Sequence, residues 1–138
     1  MFLTNLSQRV PVSIWYDWKN DGTDPNEREH HFGTVDHDLK PKPAYVAAKT
    51  LSSTLGGHTI EKQLTLSNAK DIGYLLSQGT HRALVVWTTD IDHEMTLPFE
   101  AAEGTLVDML GQRRHLSWQA GQLKLAISGS PQYLLVGD

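Results

Sequence analysis

The sequence predicts a mainly β fold with a minor α part: an antiparallel β-sandwich of about eight strands, preceded by a strand, a long loop and a helix. Between residues 58 and 138, short apolar runs recur with turn-forming residues between them. Before residue 58, one β-branched and aromatic run is followed by a polar loop and then by a helical pattern. We therefore divide the chain into residues 1–57 and residues 58–138.

The first part opens with a short helical pattern and a predicted strand. Phe2, Leu3 and Leu6 have the spacing of an amphipathic helix. Val10–Tyr16 is rich in β-branched and aromatic residues, which predicts a buried strand. A lone strand of this kind leaves both edges unpaired, so residues 1–57 are not expected to form a domain by themselves.

A long acidic loop follows, from Asp17 to Asp38, with turn formers at Asn20–Gly22 and Asp24–Asn26. At about 20 residues it is longer than ordinary connections, and such loops are usually functional or disordered. A helix is predicted to start at Pro43, because proline suits the first helical position, and to end at Gly56-Gly57.

The second part contains eight predicted strands. One of them alternates clearly, with Leu123, Leu125 and Ile127 on one side and Lys124, Ala126 and Ser128 on the other. The eight runs are Thr59–Leu66, Ile72–Ser77, Ala83–Thr88, Glu94–Phe99, Thr105–Met109, His115–Trp118, Gln122–Ser128 and Gln132–Val136.

Charge and composition argue against several kinds of partner. The net charge of −4 argues against nucleic acid, and the adjacent Arg113 and Arg114 fit a solvated turn. Because the chain has no cysteine, it has neither a disulfide framework nor a thiolate metal site. No run approaches the roughly 18 apolar residues of a membrane span. The start lacks the charged leader and apolar run of a signal peptide, so no cellular address is predicted.

The aromatic residues at the end of the predicted strand are the first candidates for ligand binding. The rings of Trp15, Tyr16 and Trp18 could stack on the apolar face of a sugar or a base. Because side chains alternate along a strand, Trp15 and Tyr16 should face opposite ways. The alternative is that these rings pack inward or cover a neighbouring helix.

The loop offers two weak metal patterns. Its carboxylates and amide could bind calcium, but their spacing does not match the twelve-residue calcium loop. Its histidines could bind a transition metal, but no His-Glu-x-x-His pattern is present. We therefore predict neither a metal nor a cofactor. The residues considered are Asp21, Asp24, Asn26 and Glu27 for calcium, and His30, His31 and His37 for a transition metal.

No convincing catalytic set is visible. Paired-carboxylate hydrolysis holds two carboxyl groups about 5–5.5 Å or 6.5–9.5 Å apart. The candidates Asp17, Glu27 and Glu29 all lie on one strand end and its loop, which hold such a distance less well than separate rigid elements. Gly129–Pro131 is a turn and not a nucleophile elbow.

Several stretches together resemble clan A glycoside hydrolases, in particular bacterial cellulase- and xylosidase-like members. Three stretches look like the last strand, loop and helix of a TIM barrel, and three others look like the small β-sandwich into which the barrel continues. The first three are Ser13–Gly22, Glu29–Gly33 and Lys40–Tyr45, and the others are Val107–Gly111, Gly121–Leu125 and Ser130–Leu134.

The resemblance implies a sugar-binding role without catalysis. Active sites of such barrels lie at the carboxyl ends of the strands. By position, Trp15 corresponds to the tryptophan that floors the subsite beside the scissile bond, and Trp18 and His31 complete the candidate substrate-binding residues. The family's acid/base and nucleophile are glutamates on the fourth and seventh strands, and this chain starts at what resembles the end of the seventh helix.

Three hypotheses follow from these observations. The first is a non-catalytic C-terminal fragment of a glycoside hydrolase with the β-sandwich as accessory domain. The second is a carbohydrate-binding module that uses Trp87, Trp118 and Tyr133 as further stacking rings, although the apolar run around Trp87 favours core packing.

The third hypothesis is a structural or interaction protein that forms a homodimer. An exposed strand and helix should seek a partner edge, and an exchange of residues 1–57 between two copies is one way to provide it. Without a barrel around it, Trp15 is expected to be buried against the β-sandwich or against a second copy.

Overall fold

The computed structural model describes residues 1–119 and 121–137. Its helices are α1 (Phe2–Ser7), a single 3-10 turn (Arg28–His31) and α2 (Pro43–Leu55). Its strands are β1 (Thr59–Gln63), β2 (Asp71–Gln78), β3 (His81–Thr88), β4 (His93–Pro98), β5 (Glu103–Val107), β6 (Arg113–Ser117), β7 (Gln122–Ile127) and β8 (Gln132–Val136). Each of the eight predicted strands is present. None of the helices in the described ranges is long and apolar enough to span a membrane.

The strands form two antiparallel sheets, which confirms the predicted fold class. One sheet has six strands in the order β1-β2-β3-β8-β5-β6, and the other pairs β4 with β7. The strands β3 and β8 lie at the centre of the large sheet, in register from Arg82 opposite Val136 to Val86 opposite Gln132. The two central strands therefore contribute most to the buried interior.

The first hydrophobic core lies between the two sheets. Leu84 and Leu134 from the large sheet and Leu123, Leu125 and Ile127 from β7 are all buried in it. The alternation predicted for β7 is confirmed, since its even-numbered positions are exposed. This is the arrangement expected for a strand with one face on the core and one in water.

A second core covers the opposite face of the large sheet, where the helices pack. Leu3 of α1 and Leu55 of α2 are buried in one cluster with Val85, Tyr133 and Leu135. Because both of its faces are covered, the centre of β3 is apolar at four consecutive positions, residues 83–86. The helices of the first part thus pack on the sheet of the second. The division into residues 1–57 and residues 58–138 stays a prediction.

The ends of α2 lie where the sequence places them. Pro43 occupies the first turn, where a missing N–H costs no hydrogen bond. After Leu55 the chain turns through Gly57, whose φ of +83° favours glycine. A Cβ at this position would also lie 2.5 Å from the Gln78 side chain. The sequence Gly56-Gly57 is therefore a real stop signal.

The predicted strand at Val10–Tyr16 is wrong in this structure. The segment has no regular secondary structure, with bends at Pro11 and Tyr16, and forms no ladder with any described strand. Val12, Ile14 and Tyr16 are 66%, 82% and 68% exposed. A strand is stabilised by hydrogen bonds to a neighbouring strand, and the described residues place none beside it. The β-branched pattern favours a strand but cannot supply the partner that a strand needs.

A contact between two titratable side chains links the two sheets. The His93 Nε2 of β4 lies 3.1 Å from Oδ2 of Asp71, whose β2 side chain is almost fully buried. The His93 Nδ1 lies 2.9 Å from the carbonyl oxygen of Ile91. Both neighbours are acceptors, so both bonds form together only when the imidazole carries two protons. The Ile91 carbonyl and the Asp71 carboxylate therefore raise the pKa of His93.

This contact predicts a pH-dependent stability. A pKa raised in the folded state stabilises the fold fully below the unfolded value of 6.5, and the stabilisation is lost as the pH rises through the folded value. We expect the denaturant midpoint of the wild type to fall across this window and that of His93→Gln to fall less. The exposed His37→Gln variant is the control. Equal pH slopes for the wild type and His93→Gln would contradict the assignment.

Candidate functional site

The aromatic residues after α1 form a partly exposed cluster. Trp15 stacks on Phe2 of α1, with ring centroids 6.4 Å apart and an interplanar angle of 26°. Its Nε1 donates a hydrogen bond of 3.2 Å to the carbonyl oxygen of Phe32 in the loop. The ring is nevertheless 45% exposed, so the expectation that it is buried against the β-sandwich is wrong. Phe2 and Phe32 orient one face and one edge of Trp15 and leave part of the ring open.

The other two rings have separate supports. Tyr16 meets the edge of the Phe32 ring at 6.2 Å, and Trp18 meets Tyr45 of α2 edge to face at 5.8 Å. Trp18 is 59% exposed. Helix α2 therefore fixes Trp18, while α1 and the loop fix Trp15. Rings held by different elements give a surface whose shape depends on the packing of both helices.

The long loop is ordered around a small core of its own. Val35, only 2% exposed, forms isolated bridges with Lys19 and Pro41. Its N–H donates to the carbonyl oxygen of Trp18 at 3.0 Å, and its carbonyl oxygen accepts from the N–H of Asn20 at 3.1 Å. Gly33 is needed here, because a Cβ would lie 2.2 Å from the backbone nitrogen of Asn20. These contacts tie the end of the loop to its beginning.

Lys42 links the loop to the start of α2, and sequence reasoning missed it. Its Nζ donates to Oδ1 of the buried Asn20 at 3.0 Å and to the carbonyl oxygen of His31 at 2.8 Å. The ammonium group thus joins two distant parts of the loop. Only its position directly before Pro43 could have drawn attention to it.

His31 lies in the same loop but does not touch the two tryptophans through any described contact. Its Nε2 lies 2.9 Å from the carbonyl oxygen of Asp24. The neighbouring His30 accepts a hydrogen bond of 3.1 Å from the Asp24 N–H. Both rings therefore clamp the turn at Asp24. The exposed His31 ring belongs to the rim of the loop, beside the Phe32 carbonyl that accepts from Trp15.

The loop carboxylates are engaged with the backbone. Asp17 accepts from the Trp18 N–H, and Glu27 caps the 3-10 turn by accepting from the Glu29 N–H at 3.3 Å. Asp24 accepts from the Asn26 N–H at 2.9 Å. Within the described ranges no three histidine or acidic residues are grouped so that they could hold a metal ion. Turn formation explains much of the loop's acidity.

The β-sandwich does not present its aromatic residues as open platforms. Trp118 is 9% exposed, packs against Phe99 and donates from Nε1 to the Phe99 carbonyl oxygen at 3.3 Å. Tyr133 is 2% exposed, and its burial raises the pKa of its hydroxyl. Trp87 is partly buried beside Tyr74 in the second core, the one that the helices cover. This is the core packing that its apolar neighbours in the sequence favour. Among the candidate aromatic residues, the exposed ones are thus Trp15, Tyr16 and Trp18.

Comparison with solved structures places this fold among glycoside hydrolases. A family 39 glycoside hydrolase from the gut symbiont Bacteroides cellulosilyticus matches 98% of this chain with a TM-score of 0.82 and 29% sequence identity. A family 30 endoxylanase from Clostridium papyrosolvens matches 75% of the chain with a TM-score of 0.58 and 8% identity, which shows a shared fold alone. No protein-family model and no curated protein matches the sequence.

The chain therefore has a clan A glycoside-hydrolase-like fold, and the resemblance noted in its motifs is confirmed. It spans only 28% of the family 39 enzyme and 30% of the family 30 enzyme. The similarity to the family 39 enzyme extends through both the helical and the β-rich part of this chain, because almost every residue is covered.

We predict from its two hydrogen bonds that Lys42 holds the loop between residues 17 and 38 in its folded conformation. Lys42→Met removes both hydrogen bonds and leaves Oδ1 of Asn20 without this donor, at a cost of about 1–3 kcal/mol locally. We expect faster amide hydrogen exchange and faster proteolysis between residues 17 and 38. Lys40→Met is the matched control, since the described contact of the Lys40 side chain is an exposed ion pair of 3.9 Å with Asp38. Similar exchange in both variants would show that Lys42 does not hold the loop.

Proposed function

We propose that this chain is a non-catalytic part of a glycoside-hydrolase-like protein, with the β-sandwich as its accessory domain. The observation that carries the proposal is the close similarity to a family 39 glycoside hydrolase over 98% of this chain and only 28% of that one. The motifs of residues 1–57 resemble the last strand, loop and helix of the barrel in such enzymes. The chemistry of a complete enzyme of this class needs two carboxylates on separate elements.

The state of the loop carboxylates supports the non-catalytic part of this proposal. Asp17 and Glu27 each accept a backbone hydrogen bond one or two residues along the chain. Glu29 lies within the 3-10 turn that Glu27 caps. A pair of catalytic carboxyl groups has to face one bond of the substrate from two sides. Asp17 and Glu27 are instead engaged with backbone N–H groups next to them in the chain.

The exposed rings support a role for this segment as one wall of a sugar-binding site. Trp15 and Trp18 are partly open, while Phe2 and Tyr45 hold them from behind. A ring supported in this way loses little conformational freedom when a flat ligand stacks on it. We assign Trp15 and Trp18 as the stacking residues and His31 as a polar contact at the rim. Carbohydrate is the ligand class that the resemblance to glycoside hydrolases implies.

The absence of catalysis can be tested with aryl glycosides. Purified protein is expected to release no aryl alcohol above the rate without protein, because Asp17 and Glu27 are engaged with the backbone of their own turns. The Asp17→Ala and Glu29→Ala variants are measured in parallel. Turnover by the wild type that either substitution abolishes would overturn the non-catalytic assignment.

The sugar-binding wall can be tested by titrating oligosaccharides of xylan, cellulose and glucan while tryptophan fluorescence is recorded. If stacking contributes about 0.5–1.5 kcal/mol per ring, Trp18→Ala should weaken binding roughly 2- to 12-fold. Trp15→Ala should have a similar effect. The control is Trp87→Phe, because Trp87 packs in the second core, the one that the helices cover.

Saturable binding that persists unchanged in both alanine variants would place the sugar elsewhere. If no oligosaccharide gives a saturable change with the wild type, the sugar-binding assignment is wrong. That result would leave the non-catalytic assignment standing, because turnover is measured independently.

A further inference from the structure

Two histidines of the long loop bind the two polar backbone groups of Asp24. The N–H of Asp24 donates a hydrogen bond of 3.1 Å to Nδ1 of His30. The carbonyl oxygen of Asp24 lies 2.9 Å from Nε2 of His31. Because a carbonyl oxygen can only accept, His31 donates to Asp24, whereas His30 accepts from it. The two imidazoles therefore have opposite roles at the same residue.

These two roles respond differently to a proton. An acceptor at Nδ1 of His30 requires the neutral imidazole with its proton on Nε2. In the imidazolium both ring nitrogens are donors, so no rotation of the ring offers the Asp24 N–H an acceptor. The Nε2 of His31 can donate in the neutral form or in the charged form. Protonation therefore breaks the hydrogen bond of His30 and leaves that of His31 intact.

Packing holds the His30 ring in the place where it accepts this bond. A Cβ at Gly22 would lie 2.5 to 2.6 Å from three atoms of the ring, so the imidazole rests directly on the Gly22 backbone. The backbone N–H of His30 donates to the carbonyl oxygen of Glu27 at 3.1 Å. The ring thus joins the beginning of the loop at Gly22 and Asp24 to the 3-10 turn that carries it, Arg28–His31.

Charged groups of both signs lie near His30 in the chain. The acidic ones are Asp21, Asp24, Glu27 and Glu29, and the basic ones are Arg28 and His31. The Asp24 and Glu27 carboxylates accept from backbone N–H groups. The Arg28 guanidinium lies over the Phe32 ring, and the His31 ring centroid is 6.5 Å from that of His30. Among the described contacts none joins a carboxylate to the His30 imidazole. The bond from the Asp24 N–H is therefore what distinguishes its neutral form.

We propose that His30 is a pH-sensitive latch of the long loop. The neutral imidazole holds the loop in its folded conformation, and the protonated imidazole releases the turn at Asp24. Histidine side chains change charge between about pH 5 and 8. Since the bonded form is the one without the additional proton, the folded loop is favoured at the upper end of this range and is lost as the pH falls. The latch does not depend on the proposed function.

Release of the latch reaches Trp15 through the chain. The 3-10 turn that carries both histidines is followed directly by Phe32. The carbonyl oxygen of Phe32 accepts from Nε1 of Trp15 and from the N–H of Asp17, both at 3.2 Å. A change in the turn therefore displaces an acceptor that helps to orient Trp15. Only the role of Trp15 as a stacking ring rests on the proposed function.

Amide hydrogen exchange of the full chain between about pH 5 and 8 tests the latch. After correction for the intrinsic pH dependence of exchange, the protection of the Asp24 amide should fall as the pH falls. The decrease should reach up to about tenfold per pH unit, which is the limit for the uptake of one proton. Amides of β3 report the stability of the whole fold and should keep their protection. The contact of His93 cannot cause the loss, because it stabilises the fold at low pH.

Two substitutions separate the effect of the proton from that of packing. His30→Asn keeps an oxygen acceptor near the position of Nδ1 but does not titrate, so the Asp24 amide should stay protected over the whole range. Gly22→Ala displaces the ring at any pH, so the Asp24 amide should be poorly protected throughout. His37→Gln is the matched control, because His37 is an exposed histidine of the same loop, and it should behave like the wild type.

Equal protection of the wild-type Asp24 amide at both ends of the pH range would overturn the proposal. So would a decrease in His30→Asn as steep as that of the wild type, or a wild-type pH dependence in Gly22→Ala. The indole N–H signal of Trp15 in NMR spectra tests the transmission. It should shift with pH in the wild type and stay in place in His30→Asn, and a shift that persists in this variant would show that His30 does not control Trp15.

Discussion

The six-stranded sheet has two apolar faces, and the rest of the structure depends on covering both. The two-stranded sheet of β4 and β7 covers one face, and α1 and α2 cover the other. At the centre of β3 all four residues from 83 to 86 are buried, so neither cover can leave without exposing large apolar side chains. Burial of a leucine-sized side chain contributes about 1.5–3 kcal/mol. The packing of the two helices therefore contributes to the stability of the β-sandwich.

The same constraint determines where the aromatic residues lie. Helix α1 is seated on the sheet through Leu3, and this fixes Phe2, on which Trp15 stacks. Helix α2 is seated through Leu55 and carries Tyr45, which supports Trp18. The position of each exposed ring is therefore set by packing against a β-sheet that lies later in the chain. The β-sandwich in this way positions a surface carried by residues of the first part of the chain.

Much of the fold could be predicted because its signals are local. Alternation identified β7, turn residues separated the strands, and Pro43 and Gly57 marked the ends of α2. The predictions that failed concern which other residues a segment or side chain contacts. Val12 and Ile14 have the β-branched pattern of a buried strand, yet burial requires a neighbour that the pattern does not specify. For the same reason the bonds of Lys42 could not be predicted, because its acceptors lie 11 and 22 residues away.

The loop and the segment before it differ in how far their backbone groups are hydrogen-bonded. The loop satisfies its own backbone through Val35, Asn20 and Lys42, and its carboxylates cap its own turns. The segment Val12–Tyr16 satisfies none of its backbone groups, although its odd-numbered side chains are well anchored. Side-chain packing and backbone pairing are thus separate requirements, and the anchoring of Ser13 and Trp15 on α1 meets only the first of them.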